Sequence, residues 1–305
     1  MIKKLYILLA IFCCTSCSKF DTDRGIVVSN KKVQEFLLAL YDTNKDGVLS
    51  QEEAFRVTQI SVHFSQEPIT GLEYFPNLEF LYVNYGEFIS IDVSKNTKLK
   101  QLFCEWTKLE ALDLENNTEL EVLHCSMGEI KSINLGYKPK LDILGCAHNK
   151  LSSLDVSGCH NLSRLFCACN LLTELDISSC LNLDWFSCVD NKFETIDVSK
   201  NVKLTIFNCS NNRLLKSLDV SKNTELKEFI CDINILMTTL DVSNNAKLES
   251  LICSNLKITT LDVSNNPKLW QLHCHFSPNL ATLYLKTGQT IQRFNKDAHT
   301  TIVYL

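Results

Sequence analysis

One hydrophobic pattern recurs along most of the chain with a fixed spacing. The residues that open successive units, most of them followed by Asp-Val-Ser or a close variant, are Ile91, Leu112, Ile133, Leu154, Leu175, Ile196, Leu218, Leu240, Leu261 and Leu283. Each lies 21 or 22 residues after the last. A unit this short cannot bury an apolar face alone, so such a period specifies a stack in which each turn covers its neighbour. With 45% hydrophobic residues and only 9 glycines and 5 prolines, the chain has the material for that core. A solenoid grows by repetition, so the 305 residues are expected to form one long body.

Read from the middle of one unit into the next, Leu141, Leu144, Cys146, Asn149, Leu151 and Leu154 spell LxxLxCxxNxLxxL. This resembles the leucine-rich repeat family, with cysteine in place of the third apolar residue, over roughly residues 60 to 285. The resemblance implies an α/β solenoid whose 21–22-residue units stack short strands into a parallel β-sheet. About eleven turns, ~4.8 Å apart, are expected. Repeats are assigned to 59–282 and a C-terminal cap to 283–305. Ile69 to Asn84 is similar to the opening repeats of internalin-type arrays.

The columns have separable roles. Cys104, Cys125, Cys146, Cys167, Cys188, Cys209, Cys231, Cys253 and Cys274 alternate with outward residues and point inward as small hydrophobes. Side chains in register on parallel strands point the same way, which argues against disulfides and metal within the column. Cys159 and Cys180 share another repeat position, and a strained surface disulfide between them is the alternative there. Asn149, Asn170, Asn191, Asn212 and Asn234 are expected to bond backbone groups where the chain turns. Asp92, Asp113, Asp155, Asp176, Asp197, Asp219, Asp241 and Asp262 either brace a turn through the backbone two residues on or bind ions weakly.

Outward residues beside the cysteines form the concave face, and here the units differ. Tyr82, Phe103, Phe166 and Ile230, with Arg164, Trp185 and Ile206 two residues before their cysteine-column neighbours' outward partners, are the candidate partner-binding residues. His273 and His275 alternate on one segment and can share a metal, without a third ligand in the sequence.

Before the array, Asp42 to Glu53 reads DTNKDGVLSQEE. Oxygen donors fall at loop positions 1, 3 and 5 (Asp42, Asn44, Asp46). Gly47 sits where the chain turns, Val48 offers its carbonyl, Ser50 acts through a water and Glu53 closes the loop. The pattern resembles an EF-hand and implies calcium as the cofactor. Helical segments should flank it within 30–58, with Phe36, Leu37 and Leu40 on one face. With no second loop to pair with, Leu49 and Phe55 are expected to pack on the first turn of the solenoid, making the hand an N-terminal cap.

Residues 1–17 combine Lys3 and Lys4, an apolar run from Leu5 to Phe12, and a CCTSC exit. The end resembles a bacterial lipoprotein signal with Cys17 as the lipid attachment site, followed by a tether over 18–29. That implies export and anchoring to the outer membrane, surface-exposed. A net charge of −5 and a pI of about 5.8 leave no basic footprint for nucleic acid, and the lipid is the expected membrane contact. No nucleophile elbow, phosphate loop or catalytic acid pair stands out. The expectation is a monomeric, non-enzymatic module binding a protein or glycan, with a structural envelope component, or a hydrolase of unrecognised type, as alternatives.

Overall fold

The computed structural model describes residues 25–305, so the leader and Cys17 lie outside the described residues. Twelve parallel strands, one per turn, run in register from Gln59–Ser61 to Arg293–Asn295. The sheet is one strand longer than expected because Arg293–Asn295, within the assigned cap, pairs with Gln271–His273. Most strands are three residues long, with the middle residue buried, as in Phe80–Tyr82 and Gln101–Phe103. Alternation therefore puts one residue in the core and two on the concave face. On the opposite side, Thr260–Asp262, Thr282–Leu285 and Thr301–Tyr304 form a small parallel sheet. The terminal IVYL is thus a covering strand, as a capped solenoid requires.

The core is a set of columns. Leu165 of one turn stands beside Phe186 of the next, and Phe186, Phe207 and Phe229 stack with centroids 5.4 and 5.6 Å apart. All nine column cysteines are buried free thiols. Burial disfavours the thiolate and pushes their pKa values up, to about 12 for Cys146.

Two asparagine ladders close the turns. In the first, Asn149 Nδ2 donates to Cys125 O (2.9 Å) and Cys146 O (3.1 Å), while its Oδ1 accepts from Ile130 N (3.0 Å). Asn170 and Asn191 repeat this. The second ladder follows each Asp-Val-Ser. Asn117 Nδ2 donates to Val93 O and Asn96 O, both at 2.9 Å, and Asn201, Asn223, Asn245 and Asn266 do the same one turn apart. Three consecutive turns depart from it, with Lys138, Cys159 and Cys180 in the asparagine place. Cys159 and Cys180 are accordingly fully buried free thiols, which corrects the surface disulfide considered from spacing.

The aspartate column is explained by turns. Asp155 Oδ1 accepts from Ser157 N at 2.9 Å, with the same bond at Asp176, Asp197, Asp219 and Asp241. Hydrogen bonds from these serines hold the carboxyls below their ordinary range.

Candidate binding face and loop

Helix α1 (Lys31–Tyr41) and helix α2 (Gln51–Phe55) bracket the acidic loop. Asn30 caps the first by accepting from Val33 N, and Ser50 with Glu53 forms a reciprocal capping box on the second. Val33 and Leu37 of α1 are buried, as are Leu49, Ala54 and Val57. Leu40, expected on the apolar face of α1, and Phe55, expected to pack on the first turn of the solenoid, are both 62% exposed. The short second helix ends at Phe55 and turns that side chain outward, and Asn77 Nδ2 holds its carbonyl at 2.8 Å. The unit docks on the first turn through Asn30 Nδ2 to Glu67 O (3.0 Å) and Lys32 Nζ to Phe64 O (2.7 Å).

Within the loop, Asp42 Oδ2 accepts from Gly47 N (2.9 Å), Asn44 Oδ1 from Asp46 N (3.0 Å) and Asp46 Oδ1 from Val48 N (2.9 Å). Gly47 has φ +81°, a left-handed turn that suits glycine. Ile26 N donates to Leu49 O at 2.8 Å, fixing the loop's exit. Asp42 Oδ1 is buried with no hydrogen-bond partner. Glu53 accepts from Ser50 N (3.0 Å) and Ser50 Oγ (2.9 Å) through Oε2 and from Thr43 N (2.7 Å) and Thr43 Oγ1 (2.8 Å) through Oε1. The Ser50 amide and Thr43 hydroxyl are the main donors that hold its pKa at about 2. Among the described residues, no three His, Cys, Asp or Glu side chains are grouped as a metal's ligand set.

The concave residues singled out from sequence fall into two groups. Tyr82 and Phe103 stack on successive turns, and His124, on the next strand, extends the row, with centroids 4.9 and 5.0 Å apart. Gly145 follows, with room for no more, since a Cβ there would come within 2.8 Å of His124 Nδ1. Beyond it Phe166 and Trp185 meet edge to face at 5.1 Å. Arg164 lies opposite Trp185 in the register, and Ile206 and Ile230 continue the face as half-buried residues.

A second aromatic row was not anticipated. Phe64, Tyr85 and Trp106 stack with centroids 5.0 and 6.2 Å apart and are 65%, 47% and 53% exposed. Each follows its strand by three residues and adopts the left-handed region, with φ of 57°, 59° and 56°. Every later turn adopts the same conformation at this place, with Met127, His148, Cys169, Asp190, Asn211, Ile233, Asn255 and Phe276, and only the Asn and Asp residues accept it readily. The 21-residue spacing of the three aromatics was the available signal.

Register, strand periodicity and ladders together define a leucine-rich-repeat solenoid. No protein-family model and no curated protein matches the sequence. Among solved structures, a leucine-rich-repeat protein of Leptospira interrogans is 17% identical, over 79% of this chain and 71% of its own, with a TM-score of 0.55. The plant peptide hormone receptor RGFR1, solved in complex with RGF2, is 16% identical over 77% of this chain and 49% of its own, at a TM-score of 0.51. An internalin of Listeria monocytogenes, 19% identical over 90% of this chain and 94% of its own, has a TM-score of 0.48. At these identities the likeness is one of fold.

Proposed function

We propose that the protein is a binding module that engages a protein partner through the aromatic rows of its first turns, beneath a calcium-stabilised cap. The observation that carries this reading is the stacking of Tyr82–Phe103–His124 along the strands and of Phe64–Tyr85–Trp106 in the turns that follow them. Stacked rings present their edges outward, which suits edge-to-face contact with a partner's aromatic and aliphatic side chains. RGFR1 offers a precedent for a ligand-bound array on this fold.

Calcium suits the loop because Asp42 Oδ1 lacks a partner and the neighbouring donors already brace one another as oxygen ligands must. Asp42, Asn44, Asp46, the Val48 carbonyl, Ser50 and Glu53 would hold the ion, and Glu53 would exchange its backbone bonds for it. The ion would neutralise the loop's carboxylates and fasten α1 to α2 on the first turn. Export with a lipid on Cys17, anchoring the chain to a bacterial outer membrane, completes the reading. Among the described residues, no helix is long and apolar enough to cross a membrane.

The test is capture of partners by the mature protein from the surface it faces, against Phe103→Ala, Trp106→Ala and Trp185→Ala variants. A binding module loses its partner at unchanged melting temperature. Equal capture by all variants overturns the reading in favour of a structural envelope component.

A further inference from the structure

At the opposite end of the array, His273 closes the strand Gln271–His273 and His275 lies two residues on, so both rings project to the same side. Their centroids are 6.1 Å apart and their planes 74° to each other. Both residues are half-exposed. His275 Nδ1 lies 3.0 Å from the hydroxyl of Ser254, one turn back and only 4% exposed. With Nδ1–H donating to Ser254 Oγ, the Nε2 lone pair is left free. A hydrogen bond on the far nitrogen is the feature that fixes tautomer and ring orientation in metal-binding histidines. Phe276 also packs against the ring, with centroids 4.4 Å apart, so His275 has a second contact.

The neighbouring cations are turned away. Arg293, on the adjoining strand, lies over the Trp270 ring at 5.3 Å, and Lys296 donates to Asp297 O (3.1 Å) and Thr300 O (2.9 Å) in the C-terminal cap. Asp297 accepts from Phe276 N and Ser277 N at 2.9 and 2.7 Å, so its charge is directed into the turn. Asn295, in register with His273, is the polar neighbour on the next strand.

We propose that His273 and His275 form a two-histidine site for a borderline transition-metal ion such as nickel(II) or zinc(II), with Ser254 positioning His275. Imidazole nitrogens suit these ions, and hard cations such as magnesium prefer oxygen. Two protein ligands leave coordination positions open, so the ion offers an attachment point for water or for a donor from a partner.

The experiment is calorimetric titration of the folded chain, in calcium-containing buffer, with nickel(II), and with magnesium(II) as control. Nickel is expected to bind one site, magnesium none. His273→Ala and His275→Ala should each weaken nickel binding at least about tenfold, and Ser254→Ala, which keeps both imidazoles, by about tenfold. Imidazole nitrogen resonances of these two residues should shift on nickel addition to the parent protein. Melting curves of the variants verify folding, and His275→Gln serves if the alanine variant does not fold. Unchanged nickel affinity in the double histidine variant, displacement of nickel by excess magnesium, or no uptake at millimolar nickel would each overturn the site. An unaltered affinity in Ser254→Ala would overturn the positioning role.

Discussion

Lys138 stands one turn after Asn117 in the same buried column. Asn117 Nδ2 reaches two carbonyls at 2.9 Å, whereas Lys138 Nζ reaches Glu115 O and Tyr137 O only at 3.5 and 3.4 Å. The lysine side chain is fully covered, and burial lowers its pKa.

Lys138→Asn should therefore restore a rung and stabilise the array, by about 1–2 kcal/mol in denaturant unfolding at neutral pH. The sign of the pH dependence follows from linkage. The unfolded lysine binds its proton more tightly than the folded one, so the cost of burying the charge is complete at neutral pH. It fades as pH rises from the folded value towards the ordinary 10.5. The stability difference between variant and parent should shrink across that window, and a constant difference would contradict the burial of a charged amine.

Asn223→Ala removes an intact rung. It leaves Val198 O and Asn201 O, which now accept at 2.9 Å each, without that donor. Each carbonyl keeps a backbone donor, Asn201 N at 3.0 Å and Leu204 N at 3.1 Å, so unfolding free energy should fall by about 1–2 kcal/mol for the two bonds lost. A loss below about 0.5 kcal/mol, the level of an ordinary surface substitution, would show that the ladder is not needed for cohesion.

Glu53 has a folded pKa of about 2 against an ordinary 4.5. A depressed carboxyl contributes stability above its unfolded value and loses it as pH falls through the folded one. In chelator, the Glu53→Gln variant should already be less stable than the parent at pH 6, and the two should converge between pH 4.5 and about 2. Calcium should raise the parent's melting temperature, and Asp42→Ala should abolish that rise. Identical melting with calcium and with chelator would remove the ion from the cap.

Of the described cysteines, Cys169 alone is half-exposed, in the left-handed column after its strand. In native protein a thiol reagent should modify Cys169 ahead of the other eleven of these residues, at a pace slowed by the burial that pushes its pKa up, and Cys169→Ser should erase that phase. Denaturant should release the rest. Rapid native labelling of several sites would mean that the turns open far more readily than a packed column allows.

The inward positions were legible because the Leu and Cys columns carry the strand period, and a one-residue slip would have placed charges in the core. Asn149 and its relatives were legible for the same reason. Asn117 and Asn223 were not, because the neighbouring aspartates account for the turn locally and the carbonyls these asparagines reach belong to the preceding turn, which only stacking brings near. That also misplaced Cys159 and Cys180, whose burial depends on a column identified only in three dimensions. Phe64, Tyr85 and Trp106 escaped because residue preference assigns left-handed positions to Asn, Asp and Gly, and the backbone imposes that conformation here whatever the side chain. Glu53 matched its loop position, yet its oxygens turned to Thr43 and Ser50, a choice between two sets of partners that spacing alone does not decide.

The buried sulfur column also bears on the order of events in the protein's life. A thiol walled in at every turn is out of reach of oxidants, but the same thiols on an unfolded chain lie 21 or 22 residues apart and free to cross-link in any combination. In an oxidising compartment the chain has a deadline, and stacking must be complete before the first wrong sulfur–sulfur bond forms. Because each turn needs only its neighbour as a template, stacking can start at any turn and spread, and every turn added withdraws one more sulfur from the exposed pool.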